Sequence, residues 1–188
     1  MIITFVISQQ KTIPCIRRLV EDISVRWGQK IADGDDKNSA VYSFPTPKEL
    51  ARASLEELLD LKLGYRAKYI HRLSQDAAAG VLDLKKLETM EYGQAMEYLT
   101  GFYGIGKKVA NCVCLFGLHH IEAFPVDTWI EKILLREYFS AKKYRRTPKN
   151  RLYDTILADH FGRYGGYAGV LQQYIFYYER LNQHKISP

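Results

Sequence analysis

Apolar residues recur at spacings of three and four along almost the whole chain, the pattern of amphipathic helices. The opening stretch ITFVISQQKTIPCIRRLVEDISVRWG has this period but is interrupted by Pro14, which predicts either a kink or two shorter helices. DGDDKNSAVYSFPTP is polar and turn-rich and reads as a loop with at most a short extended piece. Pro47 after Thr46 starts a short helix, and Ser54 with Glu57 forms a capping box ahead of LEELLDL. YRAKYIHRLSQDAAAG reads as a helix closed by Gly80. Further helical periods follow in YGQAMEYLTG, KKVANCVCLFGL, VDTWIEKILLREYF, RLYDTILADHFG and YAGVLQQYIFYYERL, with the basic loop SAKKYRRTPKN among them. About nine helices and no alternating strand predict an all-α fold, without internal repeats.

Composition narrows the class. The chain has 188 residues, 47% of them hydrophobic, enough for a sizeable core. No apolar run is long enough to span a membrane, and MIITFVISQQ lacks the basic start of a signal peptide. A net charge of +6 favours polyanionic partners mildly. The three cysteines, Cys15, Cys112 and Cys114, form neither a disulfide framework nor a four-cysteine cluster set, so a reduced, intracellular protein without an iron–sulfur cluster is expected. His119 and His120 are adjacent and would point apart on a helix, which disfavours a shared metal.

The densest chemistry lies in GFYGIGKKVANC, residues 101–112. It reads as the tight turn of a helix-hairpin-helix over about residues 93–118, with Gly104 and Gly106 supplying positive φ values and room for close backbone approach. Amides from Gly104 to Lys108 would face outward at a helix N-terminus, a ready site for an anion. A plain corner between two helices would use the same glycines. Lys108 falls in the first turn of the second helix, where the positive helix end and neighbouring Lys107 both disfavour its charge. A neutral amine is a nucleophile that can form a Schiff base, although a lysine on a basic face also serves simply to meet a phosphate. Asp127, nineteen residues later in AFPVDTWIEKI, sits where an N-cap belongs. A carboxylate fixed in that way and facing Lys108 could relay protons and stabilise developing positive charge.

The hairpin, the lysine and the Pro-Val-Asp together resemble the HhH-GPD superfamily of base-excision DNA glycosylases. LGYRAKY, GIGKKVANCVCLF, FPVDTW and YAGVLQQYIFYYER resemble the 8-oxoguanine DNA glycosylase family within it, from FVISQQ to YYER, as one domain over residues 1–188 closed by a C-terminal helix at about 166–182. The resemblance implies excision of an oxidised purine from duplex DNA followed by strand nicking at the abasic site, by an intracellular, DNA-associated monomer. It makes Lys108 the nucleophile and Asp127 its assistant. Cys112 and Phe176 match the residues that stack on the two faces of the extruded base, and Gln172 the side chain at its edge. Tyr65 matches the wedge that fills the gap in the duplex, Arg66 and Gln10 contacts near the orphaned cytosine, and Gly104, Gly106 and Lys107 the phosphate-binding hairpin. Thr100, Phe102 and Ile105 match carbonyl ligands of a monovalent cation that bridges to phosphate; no other cofactor is implied.

The sequence also departs from that family. It has no room for the antiparallel β domain that eukaryotic-type members carry before the matching segment, which leaves open a piece of a longer protein or a short member. Cys15 stands in place of a family arginine near the orphaned base, and Trp129 where animal members have histidine. One rival is an endonuclease III-like glycosylase for oxidised pyrimidines, which usually carries a C-terminal four-cysteine cluster. An adenine glycosylase lacks the lysine. A non-catalytic helix-hairpin-helix module would need neither Lys108 nor Asp127.

Overall fold

The computed structural model describes residues 1–33 and 40–184, and the all-α expectation holds among them: twelve α-helices and one two-stranded sheet. The helical period breaks where the sequence predicts. Ile2–Ile7 and Ile13–Trp27 are separate helices, with Pro14 tolerated in the first turn of the second because no intrahelical partner is needed there. The expected capping box forms, Ser54 with Glu57 ahead of Leu55–Asp60, and Thr46 forms a second one with Glu49 ahead of Pro47–Leu50.

Three features differ from the periodic reading. Lys30–Asp33 pairs antiparallel with Ala40–Tyr42, where at most one extended piece was expected. Strands of three and four residues are too short to show an alternation, and Ile31 and Val41 are left exposed. Part of the predicted polar loop, residues 34–39, lies outside the described residues. A short helix at Leu84–Glu88, capped by Asp83, follows Gly80. The helix expected over VDTWIEKILLREYF is α-helical only at Thr128–Ile133 and then π-helical at Leu134–Tyr138.

The chain divides into two compact units, Met1–Met90 with Glu97–Gly106, and Glu91–Met96 with Lys107–Pro188. In the first unit, helix Arg66–Ala78 is central and packs on Ile2–Ile7, Pro47–Leu50 and Leu55–Asp60. Its Ile70 and Leu73 join Leu19, Ile23, Leu58 and Leu63 in a core with almost no exposure. The second unit is built on Phe124, Ile130, Ile133, Leu134, Tyr144, Ile156 and Phe161, covered by the terminal helix Ala168–His184 through Leu171, Ile175 and Phe176. That helix starts where its backbone comes very close to the segment before Phe124. The Gly169 amide donates to the Ile121 carbonyl at 2.8 Å, and a Cβ on Gly169 would lie 2.3 Å from the Ala123 carbonyl oxygen. Only glycine fits there.

Candidate active site

The second unit holds both predicted catalytic residues and the three predicted to contact a base. Helix Lys107–Gly117 begins at the two lysines and buries the face made by Val109, Ala110, Cys112, Val113 and Cys114. Lys108 and Cys112 are one turn apart on this helix. Burial pushes the Cys112 thiol above its ordinary range; the charge of Lys108 and a hydrogen bond with it act in the opposite direction, and the negative charge of Asp127 raises it further. Lys108 and Asp127 therefore each lie within electrostatic reach of the Cys112 thiol. Asp127 is an N-cap as predicted: its Oδ1 accepts from the amides of Trp129 at 3.0 Å and Ile130 at 2.9 Å. Those two bonds hold the carboxylate rigidly at the start of Thr128–Ile133.

The first turn of the lysine helix is anchored by residues that sequence reading did not single out. The Tyr92 hydroxyl donates to Asn111 Oδ1 at 2.8 Å, and Asn111 Nδ2 donates to the Lys107 carbonyl at 3.0 Å. Asn111 is buried, and burial is the main cause that pushes the Tyr92 phenol up to about 12. The available signal was a polar Asn on an otherwise apolar helix face. Lys107 itself is held in an exposed ion pair by Asp154, its Nζ 2.6 and 2.5 Å from the two carboxylate oxygens. A cavity of about 450 Å³ opens beside these groups, lined by Lys107, Lys108, Asn111, Tyr92 and Asp154 among others. Cys112, Gln172 and Phe176 do not line it.

Gln172 and Phe176 lie one turn apart on the terminal helix. Gln172 is 4% exposed; its Nε2 donates to the Pro125 carbonyl at 3.3 Å and its Oε1 accepts from Gln173 Nε2. Phe176 is partly buried against the core of its unit, so part of its ring has a packing role whatever else it does. The helix is clamped farther along, where Arg136 donates to both Glu179 oxygens at 3.0 and 2.9 Å. Trp129 is 42% exposed.

The first unit carries the residues expected to contact the duplex apart from Lys107. Tyr65, at the cap of Arg66–Ala78, is 44% exposed, as a wedge would need to be. Arg66 is turned inward instead: it is 5% exposed, donates from Nε to the Gln9 carbonyl at 2.8 Å and from Nη1 to the Leu63 carbonyl at 3.1 Å, and stacks on the Tyr65 ring at 4.4 Å. In this state it braces its neighbours. The neighbouring Gln10 is exposed and held at φ 51°. Gln9, its neighbour on the other side, donates from Nε2 to the Gly104 carbonyl at 3.1 Å.

The expectation for the turn glycines holds for one of the two. Gly104 has φ 90°, and a Cβ there would lie 2.3 Å from the Tyr69 ring, so the close approach is to an aromatic side chain. Gly106 has no positive φ, and a Cβ would meet nothing within 4 Å. It is free of packing demands, which leaves its outer side open. Thr100, the last residue of helix Tyr92–Thr100, and Phe102 and Ile105 in the turn supply the oxygen donors proposed for a monovalent cation. The Phe102 carbonyl accepts from Ile105 N at 3.1 Å and keeps a second lone pair. Carbonyl oxygens at the negative end of a helix fit a hard cation. Among the described residues no group of three or more His, Cys, Asp or Glu side chains could hold a metal ion, and no helix is long and apolar enough to cross a membrane.

The family described as HhH-GPD superfamily base excision DNA repair protein matches residues 3–153. The chain is 34% identical to an N-glycosylase/DNA lyase of Saccharomyces cerevisiae, over 93% of this chain and 53% of that protein. It is 32% identical to a probable N-glycosylase/DNA lyase of Methanothermobacter thermautotrophicus, over 87% of this chain and 54% of that one. Its fold matches the Clostridium acetobutylicum 8-oxoguanine glycosylase/lyase, solved with double-stranded DNA containing cytosine opposite 8-oxoguanine, with a TM-score of 0.83, 30% identity, and coverage of 97% of this chain and 59% of that one. The chain spans about half the length of these two relatives.

Proposed function

The chain belongs to the HhH-GPD superfamily of base excision DNA repair proteins, and on that premise we propose that it excises an oxidised purine, 8-oxoguanine, from duplex DNA and nicks the strand at the resulting abasic site. The observation that carries the reading is the placement of Lys108 in the first turn of its helix, in contact with Cys112, a thiol that the rigidly capped Asp127 also reaches electrostatically. The two named relatives, each an N-glycosylase/DNA lyase, support it.

The chemistry follows from that placement. The C1′–N9 bond breaks as the base leaves with the electron pair and is protonated, and the Lys108 amine, once it has given up a proton, forms a bond to C1′. Loss of the amine proton and opening of the sugar ring give a Schiff base. The cationic imine acidifies C2′–H; its removal expels the 3′ phosphate by β-elimination, and water then releases the enzyme. Asp127 stabilises the positive charge that develops on the sugar and is positioned to receive a proton. The extruded base is held between Cys112 and Phe176 with Gln172 at its edge, and stacking recovers part of the unstacking cost. Tyr65 fills the gap, Gln10 lies near the orphaned base, and Arg66 holds both in place through its bonds to Gln9 and its stacking on Tyr65. Gly104, Gly106 and Lys107 meet phosphate without reading sequence. A monovalent cation on the Thr100, Phe102 and Ile105 carbonyls would screen that phosphate from the turn oxygens.

Borohydride reduction traps the Schiff base as a secondary amine. With an 8-oxoguanine duplex, the wild-type chain should give a covalent adduct and Lys108→Gln none, with binding to damaged duplex largely retained. An adduct of undiminished yield from Lys108→Gln would end the proposal.

A further inference from the structure

We propose that Tyr92 and Asn111 are positioning residues for the attacking amine: together they hold the first turn of the lysine helix by its backbone, and so fix where Lys108 stands. This rests on the reading of Lys108 as the nucleophile. The first turn of any helix is its least secured part, because four amides there have no partner within the helix. This helix also begins with two adjacent cations at the positive end of its dipole, an arrangement that works against the turn. Packing helps little on one side, since Lys107, Lys108 and Asn111 all border the cavity of about 450 Å³.

Two tethers reach residue 107. Asp154 holds its side chain, in an exposed ion pair that a phosphate taking Lys107 must break. The second tether reaches its backbone. Asn111 Nδ2 donates to the Lys107 carbonyl at 3.0 Å, and the Tyr92 hydroxyl donates to Asn111 Oδ1 at 2.8 Å. The direction of both bonds is fixed. A carbonyl oxygen can only accept, so the carboxamide must turn its nitrogen to Lys107 and its oxygen to Tyr92. The opposite arrangement would set two acceptors against each other, in a residue only 4% exposed. Burial is the main cause that pushes the Tyr92 phenol up to about 12, so the hydroxyl keeps its proton at neutral pH. Tyr92 opens another helix, Tyr92–Thr100, and the two bonds therefore tie the lysine turn to a separate element. Neither bond uses the Lys107 side chain, so both persist when a phosphate displaces Asp154.

The test uses a duplex with a preformed abasic site, so that base stacking plays no part. Borohydride trapping is followed as a single turnover at saturating enzyme, and Kd for the same duplex is measured separately. Tyr92→Phe and Asn111→Leu stay close to the native shapes. Each should slow trapping by about tenfold, the scale of a small displacement of a reacting group, with Kd close to wild type. Because Tyr92 acts through Asn111, the double variant should be no slower than Asn111→Leu alone. Tyr92→Phe loses a single oxygen and keeps the question decidable if Asn111→Leu fails to fold. Trapping by Tyr92→Phe at the wild-type rate would overturn the proposal. Equal losses in trapping and in binding, with a lowered melting temperature, would overturn it too, by making the pair a structural link only. Losses that multiply in the double variant would show that the two residues do not act as one chain. If the wild-type chain forms no adduct at all, the reading of Lys108 fails first and takes this inference with it.

Discussion

Lys107 Nζ lies 2.6 and 2.5 Å from the two carboxylate oxygens of Asp154, at the N-terminal end of the helix whose next residue is Lys108. Two lysines adjacent in sequence are thus given different surroundings: one meets an exposed acid, and the other lies beside a buried thiol. An exposed ion pair contributes about 0–1 kcal/mol, so a phosphate can displace Asp154 cheaply. Lys107→Gln is expected to leave borohydride trapping in place while weakening binding to every duplex, with a smaller salt dependence. A gel-shift titration over several salt concentrations, run beside the trapping assay, checks both. Loss of trapping in Lys107→Gln with retention in Lys108→Gln would reverse the assignment of the two lysines.

The two turn glycines should behave differently. Gly104→Ala forces a Cβ toward the Tyr69 ring at a positive φ, so it is expected to destabilise the fold by more than about 1 kcal/mol. Gly106→Val meets no neighbour, so its melting temperature should stay close to wild type. Its binding to damaged and undamaged duplexes should weaken alike. Selective loss for damaged duplexes alone would show that the turn is no general phosphate clamp.

Phe176→Ala is expected to slow base excision far more than nicking of a preformed abasic site, because the abasic substrate has no base to stack on. Its partial burial against the unit core adds a stability loss of about 3–5 kcal/mol at most, seen by denaturant titration. Equal losses in the two assays would assign the ring to the core.

Gly169→Ala should destabilise the protein by about 1–3 kcal/mol, since the added carbon would overlap the Ala123 and Ile121 carbonyls. The backbone must move where the helix carrying Gln172 and Phe176 begins. Excision should therefore fall more than trapping on a preformed abasic site. A wild-type melting temperature would mean that the helix start yields freely.

The Arg136 guanidinium holds the Glu179 carboxyl below its ordinary value of 4.5, mainly through their hydrogen bond. A depressed carboxyl contributes stability that is fully present above the unfolded value and is lost as pH falls through the lower folded one. Melting temperatures between about pH 6 and pH 3 should therefore fall less steeply for Glu179→Gln than for wild type. Identical slopes would show that this clamp adds nothing to acid sensitivity.

Local rules acted undisturbed in parts of the fold, and there the sequence was sufficient. Pro14 has no amide hydrogen to donate, so the helical run had to kink or break there, and it breaks; Thr46 with Glu49 and Ser54 with Glu57 close their boxes within three residues; Asp127 caps the helix that follows it. The one-turn spacings of Lys108 to Cys112 and of Gln172 to Phe176 are likewise properties of any α-helix. What depends on distant chain segments could not be read in this way. Gly106 carries the same residue type as Gly104, yet only Gly104 is needed for shape, because Tyr69 arrives there from another helix. Arg66 looks like a surface cation until the carbonyls of Gln9 and Leu63 are brought around it. Asn111 and Gly169 owe their roles to Tyr92 and Ala123, partners that no periodicity points to. Helical period and capping depend on residues within a few positions of one another; packing and donor direction depend on which backbone and side-chain groups tertiary structure brings into contact.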